Sequence, residues 1–254
     1  MIISHKHNFI FIHCRKVAGS SIAVYLSKFL GPKDIQLSAI ADSKSNGVHP
    51  NLRFYLDLLN YRSTQYYFTN LVKNIFLTKE GNLLPSINAA RKEKYRKYFT
   101  KNIPHPTALE IKNFDKYAWR NYFKFCFVRN PYERVLSDYF WRVKNININI
   151  NFHEFVKLLY YKDHSNNIIP ENFDNWKMYT INDEISVDYI GRYESLNEDF
   201  GEICDHLDLP YNGKLPLAKK IKKEYSYRDW YNEEDEKLVY EIFKKEINYF
   251  GYKF

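Results

Sequence analysis

The chain has little of what marks secreted or metal-binding proteins. Only three of its 254 residues are cysteines, and Cys14, Cys126 and Cys204 lie far apart. An odd count without a CxxC pair offers neither a disulfide framework nor a zinc site of the usual spacing. Cys14 and Cys126 fall within apolar runs, so we expect them to pack in the core. The eight histidines also show no metal-ligand spacing, and we expect no bound metal.

Long apolar runs are absent as well. No stretch approaches the roughly 20 residues that a membrane-spanning helix needs. The first residues do not follow the pattern of a secretory signal, because His5, Lys6 and His7 precede the first apolar run. We therefore expect no integral membrane segment and a cytoplasmic location. No internal repeat or linker divides the chain, which predicts a single domain over residues 1–254.

Positive charge and apolar content are what the chain does have. Lysine and arginine outnumber aspartate and glutamate by 38 to 30, and 45% of the residues are hydrophobic. This composition allows a substantial core, and the net charge of +8 predicts an anionic ligand or partner. The sequence contains no recognised nucleic-acid-binding module, so we do not expect nucleic acid to be that partner.

Apolar strand patterns alternate with helical ones. This alternation predicts an α/β fold, with a P-loop-like parallel β-sheet flanked by helices. Residues 33–104 follow the pattern least and are predicted to be irregular, apart from a basic helix over 87–98 whose polar face includes Arg91. The predicted strands span about 8–14, 122–128 and 187–190, and the other helices about 20–29, 107–114, 131–143, 152–160, 197–207 and 233–250.

The first candidate phosphate site is a strand–loop–helix junction near the start of the chain. An apolar run leads into a loop with Lys16, and Gly19-Ser20-Ser21 opens the next helix. Such a junction directs backbone N–H groups and a positive helix end at one place, which suits a phosphate. The order differs from a Walker A sequence, in which a glycine precedes the lysine and a hydroxyl residue follows it. We expect Gly19 to let the backbone approach the ligand closely.

A second junction of the same kind lies about a hundred residues further on. The apolar run 122–128 ends in Arg129, and a helix that carries Ser137 begins after Asn130. In a parallel sheet both junctions fall at the carboxyl ends of the strands, where ligands bind. A magnesium-dependent kinase would need an acidic metal ligand after a strand, and Arg129 stands there instead. The two junctions together predict a ligand with phosphates at both ends.

These segments, together with residues 187–194, 227–231 and 250–252, resemble the PAPS-dependent carbohydrate sulfotransferases of the family-2 type. The resemblance runs from near residue 8 to the end and is weakest over 33–104. It implies sulfuryl transfer from PAPS to a hydroxyl of an acceptor, expected to be a glycan, with PAP as product and no metal. Residues 33–104 are then expected to form an acceptor-side insertion.

The resemblance also implies roles for individual residues. Lys16 would neutralise the 5′-phosphate and the bridging oxygen as the sulfuryl group leaves. Arg129 and Ser137 would bind the 3′-phosphate, and a basic stretch near residues 219–223 would close over that end of the nucleotide. The residues expected to bind the donor are Arg15, Lys16, Val17, Ala18, Gly19, Ser20, Ser21, Arg129, Ser137, Tyr193, Lys222 and Lys223.

Sulfuryl transfer needs a base for the acceptor hydroxyl. His105 is the candidate, because its place before the second junction resembles that of the catalytic histidine in the uronyl 2-O-sulfotransferases. The alternative is a solvent-exposed loop histidine, with Glu110 as the reserve base. We expect His13 to be a hydrogen-bonded structural histidine and Arg134 to be a structural ion-pair partner.

Two other classes of function stay open at this point. A P-loop-type nucleotide or small-molecule kinase would depend on magnesium and turn over ATP. A non-catalytic polyanion-binding protein would use the positive charge alone, and its binding would depend steeply on salt.

Overall fold

A computed structural model of the chain describes residues 1–77, 83–99, 103–146, 148–165, 168–170, 173–216 and 226–254. None of the helices in these ranges is long and apolar enough to cross a membrane. The strands are β1 Ile2–Ser4, β2 Phe9–Ile12, β3 Ile35–Gln36, β4 Phe123–Val128, β5 Thr180–Ile181, β6 Glu184–Ile185 and β7 Tyr189–Arg192. The helices are α1 Gly19–Ser27, α2 Ile40–Ser45, α3 Leu52–Leu56, α4 Tyr61–Leu77, α5 Leu84–Glu93, α6 Ala108–Phe114, α7 Lys116–Asn121, α8 Pro131–Ile146, α9 Phe152–Tyr161, α10 Trp176–Tyr179, α11 Leu196–His206 and α12 Glu233–Phe250, with 3₁₀ turns at Asp57–Leu59 and Tyr227–Trp230.

The main sheet has five strands in the order β3-β1-β2-β4-β7. Strands β2, β4 and β7 run parallel, whereas β1 is antiparallel to both β2 and β3. The predicted α/β class with flanking helices is confirmed, but the sheet is mixed rather than purely parallel. The cause is the short connection between β1 and β2, because a few residues can join only antiparallel neighbours.

Two apolar clusters hold the fold together. The first surrounds the central strands, whose side chains are buried on both faces, and Phe11 and Phe125 stack with ring centroids 5.3 Å apart. The second lies between α8, α9 and α12 and includes Val135, Phe155 and Val239. The three cysteines are buried and free of disulfides, which confirms the packing role expected of Cys14 and Cys126.

Residues 33–104 are largely helical where the structure describes them, so the prediction of an irregular segment was wrong. The basic helix predicted over 87–98 is α5, which begins and ends earlier. Arg91, expected on its polar face, is 1% exposed and stacks on Phe54 with the guanidinium carbon 4.7 Å from the ring centroid. Its Nη2 donates to the Gln36 carbonyl oxygen at 2.6 Å. A charged residue with such partners can be buried, and composition does not reveal the partners.

Capping residues and apolar stripes in the sequence predicted the bounds of several helices. Thr107 caps α6 by accepting from the Glu110 N–H, while the Glu110 carboxylate accepts from the Thr107 N–H, and the two bonds form a capping box. Helix α12 has the bounds that its apolar stripe predicts. Helix α8 continues three residues beyond its predicted end at residue 143.

Candidate functional site

The loops after three parallel strands meet at one edge of the sheet. Ile12 at the end of β2 pairs with Cys126, and Val128 at the end of β4 pairs with Arg192 at the end of β7. The following loops therefore share the carboxyl edge, as expected for a parallel arrangement. The Arg129 Nη1 group donates to the carbonyl oxygen of Lys16 at 3.4 Å. The two predicted phosphate junctions are thus in direct contact.

The loop between β2 and α1 has an unusual backbone. Lys16 and Ala18 both have φ near 61°, in the left-handed region that side chains with a Cβ rarely adopt. Val17 between them is buried, whereas Ser20 and Ser21 in the first turn of α1 are partly exposed. The Ala18 carbonyl oxygen accepts from the N–H groups of Ser21 and Ile22 at 2.9 and 3.3 Å, and the positive end of the helix dipole at this start of α1 favours an anion.

Gly19 is required for a reason that the sequence did not show. A Cβ atom at this position would lie 2.1 Å from Cδ2 and 2.3 Å from Nε2 of His13. The imidazole of His13, which is 7% exposed, therefore packs directly against the start of α1. Because glycine has no side chain, position 19 leaves room for the imidazole of His13. The prediction that Gly19 also lets the backbone approach a ligand is a separate matter.

Arg129 is held between a carboxylate and an aromatic ring. Its Nε and Nη2 groups donate to Glu133 Oε2 at 3.2 and 3.0 Å. Its guanidinium carbon lies 4.0 Å from the ring centroid of Tyr193, whose N–H donates to the Val128 carbonyl oxygen at 2.8 Å. The Arg129 side chain is 8% exposed. Arg129 and Tyr193, both predicted to bind the donor, are in contact with each other.

Ser137 lies on the face of α8 that borders both loops. Glu133, one turn earlier, binds Arg129, and Trp141, one turn later, lies 5.5 Å from the Nζ of Lys16. Because residues four apart share a face of a helix, Ser137 lies between these two contacts. A serine two turns into this helix is therefore close to both loops.

Arg15 points toward α8 and is nearly buried. Its Nη2 lies 3.7 Å from Asp138 Oδ1, and Asp138 also binds Arg142 Nε at 3.1 Å. Burial lowers the pKa of Arg15, an effect that the negative charge of Asp138 opposes. Arg15 and Lys16 thus follow each other in the loop but reach different parts of α8.

His105 lies against the same loop. Its Nδ1 donates to the His13 carbonyl oxygen at 2.6 Å, and the two imidazoles meet edge to face at 4.7 Å. A carbonyl oxygen can only accept, so Nδ1 carries the hydrogen and Nε2 has the free lone pair. Burial, and next the positive charge of Arg15, lower the pKa of His105 to about 3. The ring is therefore neutral at pH 7, as a general base must be.

The other candidates have structural partners. Glu110 Oε2 accepts from both the N–H and the hydroxyl of Thr107, so this carboxylate caps α6. Arg134 forms a buried ion pair with Glu246, which confirms its predicted role. Lys222 and Lys223, like the rest of their basic stretch, lie outside the described residues.

A groove lies between α2, α4 and α5, near the edge of the sheet at which His105 lies. Gln36 pairs with Ile2, and Ile2 pairs with Phe11, so the chain leaves β3 at the edge where β2 also ends. Ile40, Tyr66, Asn88, Lys92 and Arg96 are among the residues that line the groove. The space within this open groove, including the solvent at its mouth, is about 690 Å³.

Lys92 is the distinctive residue of this groove. It is partly buried, and burial together with the neighbouring Arg91 lowers its pKa. No carboxylate of the described residues forms an ion pair with Lys92, whereas Arg96 beside it binds Glu93 at 2.6 Å. Its charge is one of those that lower the pKa of His105. A lysine so placed is suited to binding an anion.

Sequence reasoning missed Glu133, Trp141 and Asp138, the residues of α8 that contact the loops. Their spacing puts Glu133 four residues after Arg129 and Trp141 four after Ser137, and that spacing was the only available signal. It missed Asn175 as well, whose contact with the first loop spans 160 positions.

Similarity to known proteins extends over nearly the whole chain. A family model described as the sulfotransferase family matches residues 1–253. An uncharacterised protein of Archaeoglobus fulgidus is 35% identical over 96 residues, which make up 37% of this chain and 75% of that protein. No solved structure matches the chain significantly.

Proposed function

The chain belongs to the sulfotransferase family, and we propose that it transfers the sulfuryl group of PAPS to a hydroxyl of a glycan. The observation that carries the choice of donor is the contact between the two loops, in which Arg129 donates to the Lys16 carbonyl. This contact brings a helix N-terminus with Lys16 close to a second cation. A nucleotide phosphorylated on both its 5′ and 3′ sides presents matching charges.

The proposed roles follow from this arrangement. The 5′-phosphosulfate lies at the start of α1, where Lys16, Gly19, Ser20 and Ser21 hold it, with Arg15, Val17 and Ala18 shaping the loop. The 3′-phosphate lies at Arg129 and Ser137, beside Tyr193. Lys222 and Lys223 are proposed to close over it. Each cation faces a phosphate that gains or keeps negative charge during the reaction.

The transfer itself is a single displacement at sulfur. His105 Nε2 takes the proton of the acceptor hydroxyl as its oxygen attacks the sulfur. The bond between the sulfur and the bridging oxygen breaks, and that oxygen stays with the 5′-phosphate of PAP. Lys16 neutralises the charge that develops there. Glu110 is the reserve base, although its contacts with Thr107 favour the capping role.

The low pKa of His105 fits a base that works only when the donor is bound. In the unliganded protein, Arg15 is the charge that contributes most to lowering it. An anionic donor beside Arg15 offsets this charge and raises the pKa of the imidazole. The ring is then a stronger base at the stage when a proton has to be removed.

The groove between α2, α4 and α5 is the proposed acceptor site. It belongs to residues 33–104, the segment expected to form an acceptor-side insertion, and it lies on the His105 side of the sheet. Lys92 is suited to an anionic group of a glycan, and Tyr66 offers an aromatic surface to a sugar ring. A single domain over 1–254 and a cytoplasmic location are further parts of this proposal.

Calorimetry with 3′-phosphoadenosine 5′-phosphate, AMP and ATP tests the proposal. We expect the bisphosphate to bind at least tenfold more tightly than AMP, because AMP lacks the group that Arg129 and Ser137 would hold. Lys16→Ala should weaken both nucleotides, and Arg129→Ala should remove the preference for the bisphosphate. His105→Ala should abolish transfer and leave nucleotide binding intact. Equal binding of AMP and the bisphosphate by the wild-type protein would refute the choice of donor.

A further inference from the structure

The backbone of Arg15 is bound on both sides by one distant side chain. The Arg15 N–H donates to Asn175 Oδ1 at 2.9 Å, and Asn175 Nδ2 donates to the Arg15 carbonyl oxygen at 3.0 Å. Asn175 has no exposed surface. Its carboxamide therefore pairs with the backbone N–H and carbonyl of one residue as a neighbouring strand would, with one donor and one acceptor on each side.

The bonds lie where the loop needs support. Arg15 directly precedes Lys16, the first of the two left-handed residues, and Ala18 is the second. A residue with a Cβ in this region costs on the order of 1 kcal/mol, and such a conformation persists only when its surroundings fix it. The contact from Arg129 to the Lys16 carbonyl is longer, at 3.4 Å. The pairing with Asn175 is thus the shorter of these two restraints on the loop.

Asn175 is itself firmly placed. It precedes α10, and its carbonyl oxygen accepts from the Met178 N–H at 2.8 Å. Within α10, Met178 and Tyr179 are buried, and the Tyr179 hydroxyl donates to the buried Glu246 of α12 at 2.8 Å. The position of the loop is thereby set by the carboxyl-terminal part of the molecule as well as by β2 and α1.

We propose that Asn175 is a positioning residue that holds the 5′-phosphate loop in its binding conformation through the backbone N–H and carbonyl of Arg15. This inference rests on the proposed function, because it takes the loop to bind the 5′-phosphate of the donor. Asparagine is the side chain that meets the requirement. Aspartate can accept from the N–H but cannot donate to the carbonyl, and alanine leaves both buried groups unpaired.

The test compares two nucleotides that differ only at the 5′ end. Affinities for 3′-phosphoadenosine 5′-phosphate and for adenosine 3′-monophosphate are measured by calorimetry with the wild type, Asn175→Ala and Asn175→Asp. We expect both variants to bind the bisphosphate about tenfold more weakly and the monophosphate within about twofold of the wild type. The ratio of the two affinities reports on the loop and is insensitive to a general loss of folded protein.

Thr180→Val is the matched control. Thr180 is buried just after α10, and its hydroxyl donates to the Trp176 carbonyl oxygen of that helix at 2.7 Å. The Thr180→Val variant should have a lower melting temperature than the wild type and the same ratio of the two affinities. Equal weakening of both nucleotides by the Asn175 variants, or an unchanged affinity for the bisphosphate, would overturn the inference. A wild-type protein that binds both nucleotides equally would instead refute the proposed donor.

Discussion

The two sides of the proposed site are built differently. On the donor side, the groups that fix the loops are nearly inaccessible, with Asn175 fully buried and the Arg129 side chain 8% exposed. On the acceptor side, the helical segment before α5 exposes large apolar side chains. Leu59 is 78% exposed, Tyr61 76% and Phe68 64%.

Buried charges fix the acceptor-side helices as well. Asp57 anchors the acceptor-side helices to one another, since its carboxylate binds Arg53 at 2.8 Å, Lys94 at 2.7 Å and the Tyr95 hydroxyl at 2.5 Å. Those bonds connect helices of that segment and leave the donor loops untouched. A ligand with phosphates at fixed positions is matched by a preorganised site. The acceptor-side helices are fixed by their own buried contacts and are joined to the sheet by the bond from Arg91 to the Gln36 carbonyl oxygen.

Gly19→Ala should have the largest effect and should act on the donor side. The added methyl group would lie 2.1 Å from His13 Cδ2, so either the imidazole or the start of α1 must move. We expect the free energy of unfolding to fall by about 2 kcal/mol, as for an overpacked core site. Binding of 3′-phosphoadenosine 5′-phosphate should weaken more than tenfold. Urea unfolding and calorimetry measure the two effects.

Gly201→Ala is the control for this substitution. Gly201 lies in α11, and a Cβ there would meet Tyr211 at 3.7 Å, an ordinary contact. Because alanine is the better helix former, this variant should be as stable as the wild type or more stable by up to about 1 kcal/mol. If Gly19→Ala behaved in the same way, the donor loop would not be as tightly packed as we describe.

Lys92→Ala should affect the acceptor side alone. Loss of the cation from the groove should raise the KM for an anionic glycan acceptor about tenfold, the amount expected for one charge-assisted hydrogen bond. The affinity for 3′-phosphoadenosine 5′-phosphate should not change. Steady-state kinetics with a sulfated or carboxylated oligosaccharide measures the first quantity and calorimetry the second.

Lys97→Ala provides the comparison for Lys92. Lys97 is exposed and lies over the ring of Tyr98 at 4.6 Å, and it does not line the groove. Its removal lowers the net charge by the same amount and should leave the KM unchanged. If Lys92→Ala weakened the nucleotide instead of the acceptor, the division between the two sides would be wrong.

The two strand–loop–helix junctions were largely predictable because their signals are local. An apolar run that ends in a loop with Lys16, and another that ends in Arg129, define strand ends by sequence alone. The meeting of the two loops followed from the geometry of parallel strands. The sequence could not indicate the hairpin of β1, because a strand of only three residues next to a turn carries little periodicity.

Contacts between distant residues account for what was missed. Asn175 and Arg15 are far apart in the chain, and a lone asparagine near a short helix has no distinctive pattern. Arg91 was predicted to lie on the polar face of a basic helix, and its buried partners, Phe54 and the Gln36 carbonyl, could not be foreseen because they lie on other elements. Long-range pairing of buried polar groups depends on the fold and is not encoded in local spacing.

His105 lies where the two sides meet, and the pH dependence of stability reports on it. Its pKa of about 3 is below the ordinary value of 6.5, so between these values the unfolded chain binds a proton that the folded protein does not. The stability of the wild type should therefore fall, relative to His105→Asn, as the pH is lowered through this window. The slope should be less than the limit of about 1.4 kcal/mol per pH unit for one proton, because the ring is partly exposed.

Urea unfolding at several pH values, with and without 3′-phosphoadenosine 5′-phosphate, measures this dependence of stability on pH. The difference between the two proteins should shrink when the nucleotide is bound, because its charge offsets that of Arg15, and parallel curves without nucleotide would show that the ring is not desolvated.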